Sequence, residues 1–273
     1  MKHTLLHCAI AAAALSPTLS FAQAAAPAAA PAVTGNMTIA SDYRFRGISQ
    51  TFREPALQGG FDYAHSSGFY IGNWNSNVSG ISYPNGAGLE MDLYAGYKKS
   101  IGDVTLDVGT LYYYYPAARY VSGGASGKFD NWEVYGGASW KWISAKLSYS
   151  LSNYFGLDSG MATNFFARRD GGAALTARGD SKGTIYFDVS ANYEIVPKLT
   201  LNAHVGVTKV ANYGELDYMD YKLGATYDLS GWQIGLAAVG TDADQQWYYA
   251  RDAGQKTRQT GKPFPVLTIG KTF

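Results

Sequence analysis

The chain has 273 residues with 22 basic and 21 acidic side chains, so its formal net charge is +1. A chain this close to neutral lacks the basic bias of nucleic-acid-binding proteins. Cys8 is the only cysteine, so no disulfide can form within the chain. Beyond the first residues no stretch of about 18 apolar residues occurs, so the sequence contains no candidate transmembrane helix.

Residues 1–22 have the features of a secretory signal peptide. A basic start at Lys2 is followed by an apolar run over residues 5–15, and Ser20-Phe21-Ala22 places small residues at the positions that signal peptidase reads. We therefore expect export and removal of residues 1–22, which takes Cys8 away. Residues 23–34 are rich in Ala and Pro and are predicted to form a flexible leader.

The remaining residues, 35–273, alternate between apolar and polar side chains, as half-buried β-strands do. Residues 199–208 carry Leu, Ala and Val at odd positions and Thr, Asn, His and Gly at even positions. Residues 89–97 and 185–193 repeat this pattern. The alternation predicts about 12 strands, with bounds uncertain by a few residues: 36–46, 56–64, 68–77, 89–98, 104–115, 131–141, 143–154, 183–194, 198–209, 217–228, 231–241 and 264–273.

The predicted connections alternate in length. Those after even-numbered strands are short, as at 229–230, and those after odd-numbered strands are long, as at 155–182. This sorting is typical of outer-membrane barrels, whereas a sandwich has no reason to sort its loops by end. We therefore predict an all-β fold, a single transmembrane antiparallel up-and-down β-barrel of about 12 strands with short periplasmic turns and long extracellular loops.

Aromatic residues mark both ends of the predicted strands, on the apolar parity. The ring near the short turns comprises Tyr63, Tyr97, Trp140, Tyr193, Tyr227 and Phe273. The ring near the long loops comprises Tyr43, Phe45, Trp74, Tyr112, Tyr114, Trp132 and Tyr221. Two aromatic girdles around an apolar band match the two membrane interfaces. The pattern predicts that outer-membrane lipid and lipopolysaccharide surround the chain.

The opposite parity carries the charged side chains, since a charge facing lipid at the midplane costs roughly 2 to 4 kcal/mol. The candidate pore-lining residues are Asp42, Arg44, Arg46, Asp62, Glu90, Asp92, Asp107, Asp188, His204 and Lys222. We expect Arg44 and Arg46 to face the carboxylates of Glu90, Asp92 and Asp62 and to create a transverse field that orients polar solutes. Alternatively, the same charges pair with one another and plug the lumen.

Residues 41–51 (SDYRFRGISQT), 55–63 (PALQGGFDY) and 67–74 (SGFYIGNW) closely resemble the opening of the TorF family of porins, also called Gcw_chp. The resemblance is strong over residues 36–78 and is supported elsewhere by chain length and the terminal Phe273. It implies an outer-membrane barrel with a porin role, and it brings no catalytic residues.

The end of the chain resembles the signal that the barrel-assembly machinery reads. That signal is a C-terminal Phe preceded by apolar residues at alternate positions, as Phe273, Ile269 and Leu267 provide. Lys271 departs from the pattern. The resemblance implies that the assembly machinery is a partner, through Phe273.

Enzymatic chemistry has little support in the sequence. Without the signal peptide only His65 and His204 are left. His204 is predicted to face the lumen, with Ser190 and Asn202 as candidate neighbours of a nucleophile-and-base site. No metal site of His and Cys type is indicated, and residues 123–128 lack the spacing of a phosphate loop. We expect no cofactor and no catalytic residue.

Two features of the last long loop have alternative interpretations. Asp242, Asp244 and Asp252 either bind calcium or stay solvated, and solvated carboxylates are the commoner case. The aromatic cluster at residues 247–249, with Arg251, either folds over the barrel mouth or forms a sugar- or adhesin-binding surface.

The sequence thus predicts a porin-like channel in the Gram-negative outer membrane, through which small polar solutes diffuse passively, with no enzymatic activity and no nucleic-acid partner. Two alternatives stay open. One is an outer-membrane barrel enzyme that acts on lipid or saccharide, and the other is a structural or surface-binding barrel that conducts nothing.

Overall fold

The computed structural model describes residues 32–83 and 88–273. In them the chain forms a closed barrel of twelve antiparallel strands. The strands are β1 (Ala32–Ala40), β2 (Ala56–Ala64), β3 (Phe69–Asn77), β4 (Leu89–Ile101), β5 (Val104–Tyr114), β6 (Asn131–Trp140), β7 (Ile143–Ser150), β8 (Ile185–Val196), β9 (Leu199–Lys209), β10 (Tyr218–Leu229), β11 (Trp232–Thr241) and β12 (Phe264–Thr272). The predicted signal peptide and the leader as far as residue 31 lie outside the described residues.

Each strand pairs with its neighbours in the sequence, and β1 pairs with β12 to close the barrel. In the closing pair Ile39 lies opposite Ile269. Closure gives every strand two partners, so the barrel has no free sheet edge. The predicted fold class and strand number are confirmed.

The two faces of the wall differ in chemistry. Along β9, Leu201 and Val205 face outward and are 42% and 50% exposed, whereas Asn202 and Thr208 face inward and are buried. The exposed large apolar side chains cover the outside of the barrel. A soluble protein rarely exposes so large an apolar surface, because water penalises it, and lipid does not. The wall therefore has the surface of a bilayer-spanning barrel.

The connections sort by end as predicted. At one end the turns are short, and in the two-residue turns Gly102-Asp103 and Ser230-Gly231 the residues Gly102, Ser230 and Gly231 have the positive φ angles that such hairpins use. At the other end the chain makes longer excursions, over 41–55, the described part of 78–88, 115–130, 151–184, 210–217 and 242–263.

The long connections contain small elements of their own. Residues 119–128 form a hairpin of two four-residue strands, and residues 249–259 form a second hairpin. Helix α1 (Ser159–Asn164) begins after Asp158, whose carboxylate accepts the backbone N–H of Met161 at 2.8 Å and caps the first turn. No helix within the described ranges has the length and apolar character needed to cross a bilayer.

The first strand differs from the predicted range of 36–46. It begins at Ala32, inside the predicted leader, and ends at Ala40. The alternation of aromatic and charged residues continues through Arg46, but Tyr43 and Arg44 are both fully buried. A half-buried strand would expose one of these neighbours. The chain has left the wall and entered the lumen.

Candidate functional site

Residues 41–55 connect β1 to β2, and we call them the inward segment because residues 42–52 fold into the barrel interior. The segment contains a small hairpin in which Arg44 and Phe45 pair with Ser49 and Ile48. The turn of this hairpin is Arg46-Gly47, with φ angles of 45° and 78°. A Cβ at Gly47 would lie 2.4 Å from Thr241 Cγ2. Only glycine fits this turn, because the backbone is left-handed and the wall is in contact.

One end of the hairpin is fixed by Asp42. Ser49 and Thr51 donate their hydroxyls to Asp42 Oδ1 at 2.6 and 3.1 Å. Arg44 donates from Nε to Asp42 Oδ2 at 2.8 Å, and its Nη1 reaches the carbonyl oxygen of Lys262 at 2.8 Å. Charged groups taken out of water require partners of this kind. The network ties the inward segment to itself and to the last long loop.

The tip of the hairpin reaches the opposite wall. Arg46 Nη2 donates to both carboxylate oxygens of Glu133 on β6, at 2.8 and 2.7 Å. Its guanidinium also lies 4.1 Å from the ring centre of Tyr186 on β8. Around the barrel β6 is five strands from β1 in one direction and seven in the other. The inward segment therefore spans the lumen.

This arrangement corrects the predicted pairing of the arginines. Arg44 and Arg46 do not pair with Glu90, Asp92 or Asp62, because the inward segment directs Arg44 toward the last long loop and carries Arg46 across the lumen to β6. Arg44 pairs with Asp42, and Arg46 pairs with Glu133. Two of the other carboxylates have tyrosine partners, since Tyr43 donates to Glu90 at 2.9 Å and Tyr94 donates to Asp62 at 2.6 Å. Both arginines of this part of the lumen therefore form ion pairs, as the alternative prediction has it for these two charges.

Toward the short turns the lumen is lined by polar side chains that are partly exposed. Tyr70 donates its hydroxyl to Asp107 at 2.7 Å. The Nζ atom of Lys98 lies 3.9 Å from Asp107. Lys98 and Asp62 are half-buried rather than enclosed. This half of the interior therefore keeps charged groups in reach of water.

The chain matches the family described as "Bacterial protein of unknown function (Gcw_chp)" over residues 24–273. It belongs to the Gcw_chp family. The resemblance to the Gcw_chp family over residues 36–78 is therefore confirmed. No curated protein sequence matches the chain.

Solved outer-membrane barrels are similar to the Gcw_chp chain in structure. The NanC porin matches with a TM-score of 0.50 and 11% identity, over 89% of this chain and 99% of that chain. The KdgM porin matches with a TM-score of 0.46 and 8% identity, over 88% and 97%. Pseudomonas aeruginosa OccK9 (OpdG) matches with a TM-score of 0.38 and 12% identity, over 81% and 54%. The likeness to NanC concerns the fold alone.

In this Gcw_chp protein Ser190, His204 and Asp220 form a hydrogen-bonded chain across β8, β9 and β10. Ser190 Oγ lies 2.9 Å from His204 Nδ1, and His204 Nε2 lies 2.8 Å from Asp220 Oδ1. Ser190 is thus a neighbour of His204, as predicted. Asn202 is not, because it accepts a hydrogen bond from Thr226 at 2.8 Å instead. Asp220, the second partner of His204, lies on β10, and the alternating pattern alone does not predict this contact.

Lys222 faces the interior opposite His204 in the register of β9 and β10. It is half-buried, and it makes no ion pair among the residues described. On the neighbouring strands Lys146 lies opposite Asp188. The predicted pore-lining residues all lie in the interior, and their contact with a solute stays a prediction.

The aromatic ring near the short turns faces outward. Trp140 and Tyr193 are among its exposed members, and Tyr97 packs on Phe69 with ring centres 5.0 Å apart. The second predicted ring is only partly correct. Its members Tyr112, Tyr114, Trp132 and Tyr221 are outward and exposed. Tyr43, Phe45 and Trp74 are buried in the interior instead, where Tyr43 and Trp74 pack edge to face.

The last long loop folds over the barrel mouth. Tyr248 donates its hydroxyl to the carbonyl oxygen of Leu216 at 2.6 Å. Asp242, Asp244 and Asp252 each accept a backbone N–H of a nearby residue. No group of three or more His, Cys, Asp or Glu side chains in the described ranges is arranged to hold a metal.

Proposed function

We propose that this protein is an outer-membrane channel through which small polar solutes diffuse passively, and that the inward segment narrows the path. The observation that carries the proposal is the closed wall, apolar outside and charged inside, with residues 41–55 crossing its interior. Barrels of about 8 strands are filled by side chains and those of 16 to 18 strands hold an aqueous channel. Twelve strands leave a lumen that one segment can restrict.

The polar half of the lumen supports passage of polar solutes. Lys98 and Asp62 are only half-buried there, and so is Lys222 near the middle of β10. Acidic and basic side chains along this solvated wall replace part of the hydration shell of a passing solute. Such a wall does this without a deep binding site that would retain the solute. These groups favour small polar solutes over apolar ones.

The location and assembly partner belong to the same proposal. We infer export through residues 1–22 and insertion in the outer membrane, with Tyr63, Trp140 and Tyr193 at the interface with lipid and lipopolysaccharide. Phe273 is the residue that the barrel-assembly machinery would recognise. The porin role is the one that the resemblance to the TorF family implies. The backbone of Phe273 exchanges hydrogen bonds of 2.7 and 2.9 Å with Gly35 across the closing seam.

Planar-bilayer conductance tests the channel. We expect steady openings from the purified barrel, and Lys222→Glu should shift the ion selectivity toward cations, because it reverses a lumenal charge that no carboxylate of the described ranges pairs with. Lys209→Glu is the matched control, since Lys209 pairs with Asp217 at the exposed loop end. A correctly folded barrel that conducts nothing would remove the proposal and leave the structural or surface-binding barrel.

A lumenal hydrolase is the second candidate function, favoured by the Ser190–His204–Asp220 chain. With a proton on Nε2 donated to Asp220, His204 Nδ1 can accept the hydroxyl proton of Ser190 when that oxygen attacks an ester. The hydroxyl of Tyr186 belongs to the same hydrogen-bond network, since it lies 2.9 Å from His204 Nε2 and 3.3 Å from the same Asp220 oxygen. The side chains thus meet the nucleophile, base and orienting-acid geometry of a hydrolase.

Labelling of Ser190 by a fluorophosphonate, and release of fatty acid or sugar, test this candidate. Both should be lost in His204→Ala and Ser190→Ala. Ser144 is the matched control, because it lies opposite Ser190 in the register of β7 and β8 but has no histidine partner. Equal labelling of Ser190→Ala and the unmodified protein would exclude a serine nucleophile.

A further inference from the structure

A cavity of about 390 Å³ lies at the long-loop mouth, directly on the inward segment. Phe45, Ile48 and Gln50 of the inward segment form one side. Residues 154–167 and 247–251 of two long loops form much of the rest. Well-packed protein interiors contain few voids larger than a water molecule, whereas small-molecule sites run from about 300 to 1,000 Å³. The volume is that of a ligand site.

The lining is aromatic. Eleven of the 24 described lining residues are Phe, Tyr or Trp, against 15% aromatic residues in the whole chain. The hydroxyls of several lining tyrosines are already used within the protein. Tyr83 donates to Gln50, Tyr248 donates to Leu216, and Tyr249 donates to Ala167. What these residues offer a ligand is ring faces, which attract apolar groups, and flat rings above all.

The cavity lining includes one cationic side chain. Arg251 is the only charged residue among the described lining residues. Its Nε donates to Thr257 Oγ1 at 3.0 Å, and no carboxylate pairs with it in the part of the chain that the structure describes. A guanidinium with free donors binds carboxylates and similar anions through paired hydrogen bonds. Trp247, also in the lining, has an indole N–H without a partner among those residues.

We propose that this cavity is a binding site for a small amphipathic anion, a compound with an apolar ring and one carboxylate. The ring packs against the aromatic lining and the carboxylate binds Arg251. This inference rests on the proposed channel function, of which it names a solute class. Because the inward segment forms one side of the cavity, the bound compound contacts the element that narrows the path.

A ligand-observed NMR titration of the full barrel in lipid nanodiscs tests the site, with empty nanodiscs as the blank. The probes are benzoate, acetate (the anion without the ring) and benzyl alcohol (the ring without the charge). We expect saturable binding of benzoate, weaker binding of benzyl alcohol and none of acetate. Arg251→Gln should weaken benzoate binding by roughly tenfold, the scale of one charge-assisted hydrogen bond, and leave benzyl alcohol unchanged. Phe166→Ala should weaken both.

Lys256→Gln is the matched control, since it removes the same charge from the same hairpin at an exposed position outside the cavity. Absence of saturable benzoate binding to the folded barrel overturns the inference, and so does an equal loss in Arg251→Gln and Lys256→Gln. The titration measures binding and does not depend on ion conductance. A barrel that conducts ions but does not bind benzoate therefore overturns the binding site and not the channel. A barrel that binds benzoate but conducts no ions overturns the channel and not the binding site.

Discussion

The barrel wall and the inward segment follow the same sequence pattern and have different structures. In the wall, alternating residues meet two surroundings, as Val205 faces outward and His204 faces the lumen. In the inward segment, Tyr43 and Arg44 alternate in the same way and both are fully buried. Alternation therefore predicts a strand only where the two faces meet different surroundings. Inside the lumen the same residues form a buried hairpin that side-chain contacts hold in place.

The largest effect is expected from breaking the contact between the two regions. Glu133→Gln leaves the Arg46 guanidinium buried without its charge partner, and removing one member of a buried pair costs about 3 to 5 kcal/mol. The wall keeps its backbone pairing, so we expect the inward segment to open while the barrel stays folded. Trypsin should then cleave after Arg44, Arg46 or Arg53.

Lys209→Gln is the control for that experiment. It removes an exposed pair with Asp217, and such pairs contribute only about 0 to 1 kcal/mol. We expect no new cleavage. Loss of the whole barrel in Glu133→Gln, seen as loss of heat-modifiable mobility on gels, would mean that the wall depends on the inward segment and that the two regions are not separable.

A second comparison uses the two faces of the wall. Val205→Lys places a charge toward lipid near the middle of β9 and should cost about 2 to 4 kcal/mol. His204→Lys places the same charge one residue away, in the lumen beside Asp220, and should cost less. Equilibrium unfolding in urea, with refolding into lipid vesicles, measures the difference. Equal costs would contradict the assignment of the faces.

The smallest of these effects concerns the turn of the inward segment. Gly47→Ala adds a Cβ at a φ of 78° that would lie 2.4 Å from Thr241. Gly231→Ala, at a φ of 88° with nothing within 4 Å, adds the backbone strain without the contact. That strain costs about 1 to 3 kcal/mol, so Gly47→Ala should lower the trypsin resistance of the inward segment and Gly231→Ala should not. Similar resistance in both variants would show that contact with the wall is unimportant.

Most of the wall could be predicted from the sequence because its information is local. The alternation within each strand of the wall indicates which side chains face inward and which face outward. The lengths of connections such as 155–182 and 229–230 indicate which end of the barrel carries the long loops and which carries the short turns. Ser190 was a predicted neighbour of His204 because adjacent strands of an up-and-down barrel bring such residues together.

The interior contacts could not be predicted in this way. Arg46 and Glu133 are 87 positions apart and meet across the lumen rather than along the wall. No periodicity relates them, because their contact depends on the path of the inward segment. For the same reason the sequence pattern assigns Trp74 to the outer aromatic ring, although Trp74 packs against Tyr43 inside the barrel.

Single-channel conductance before and after removal of the inward segment tests the central claim most directly. In the test variant residues 43–53 are replaced by a short Gly-Ser linker that keeps β1 and β2 connected. If these residues narrow an open lumen, the variant should fold and conduct several-fold more current than the unmodified barrel. A folded variant with unchanged conductance would contradict the account, because residues 41–55 would then not lie in the solute path.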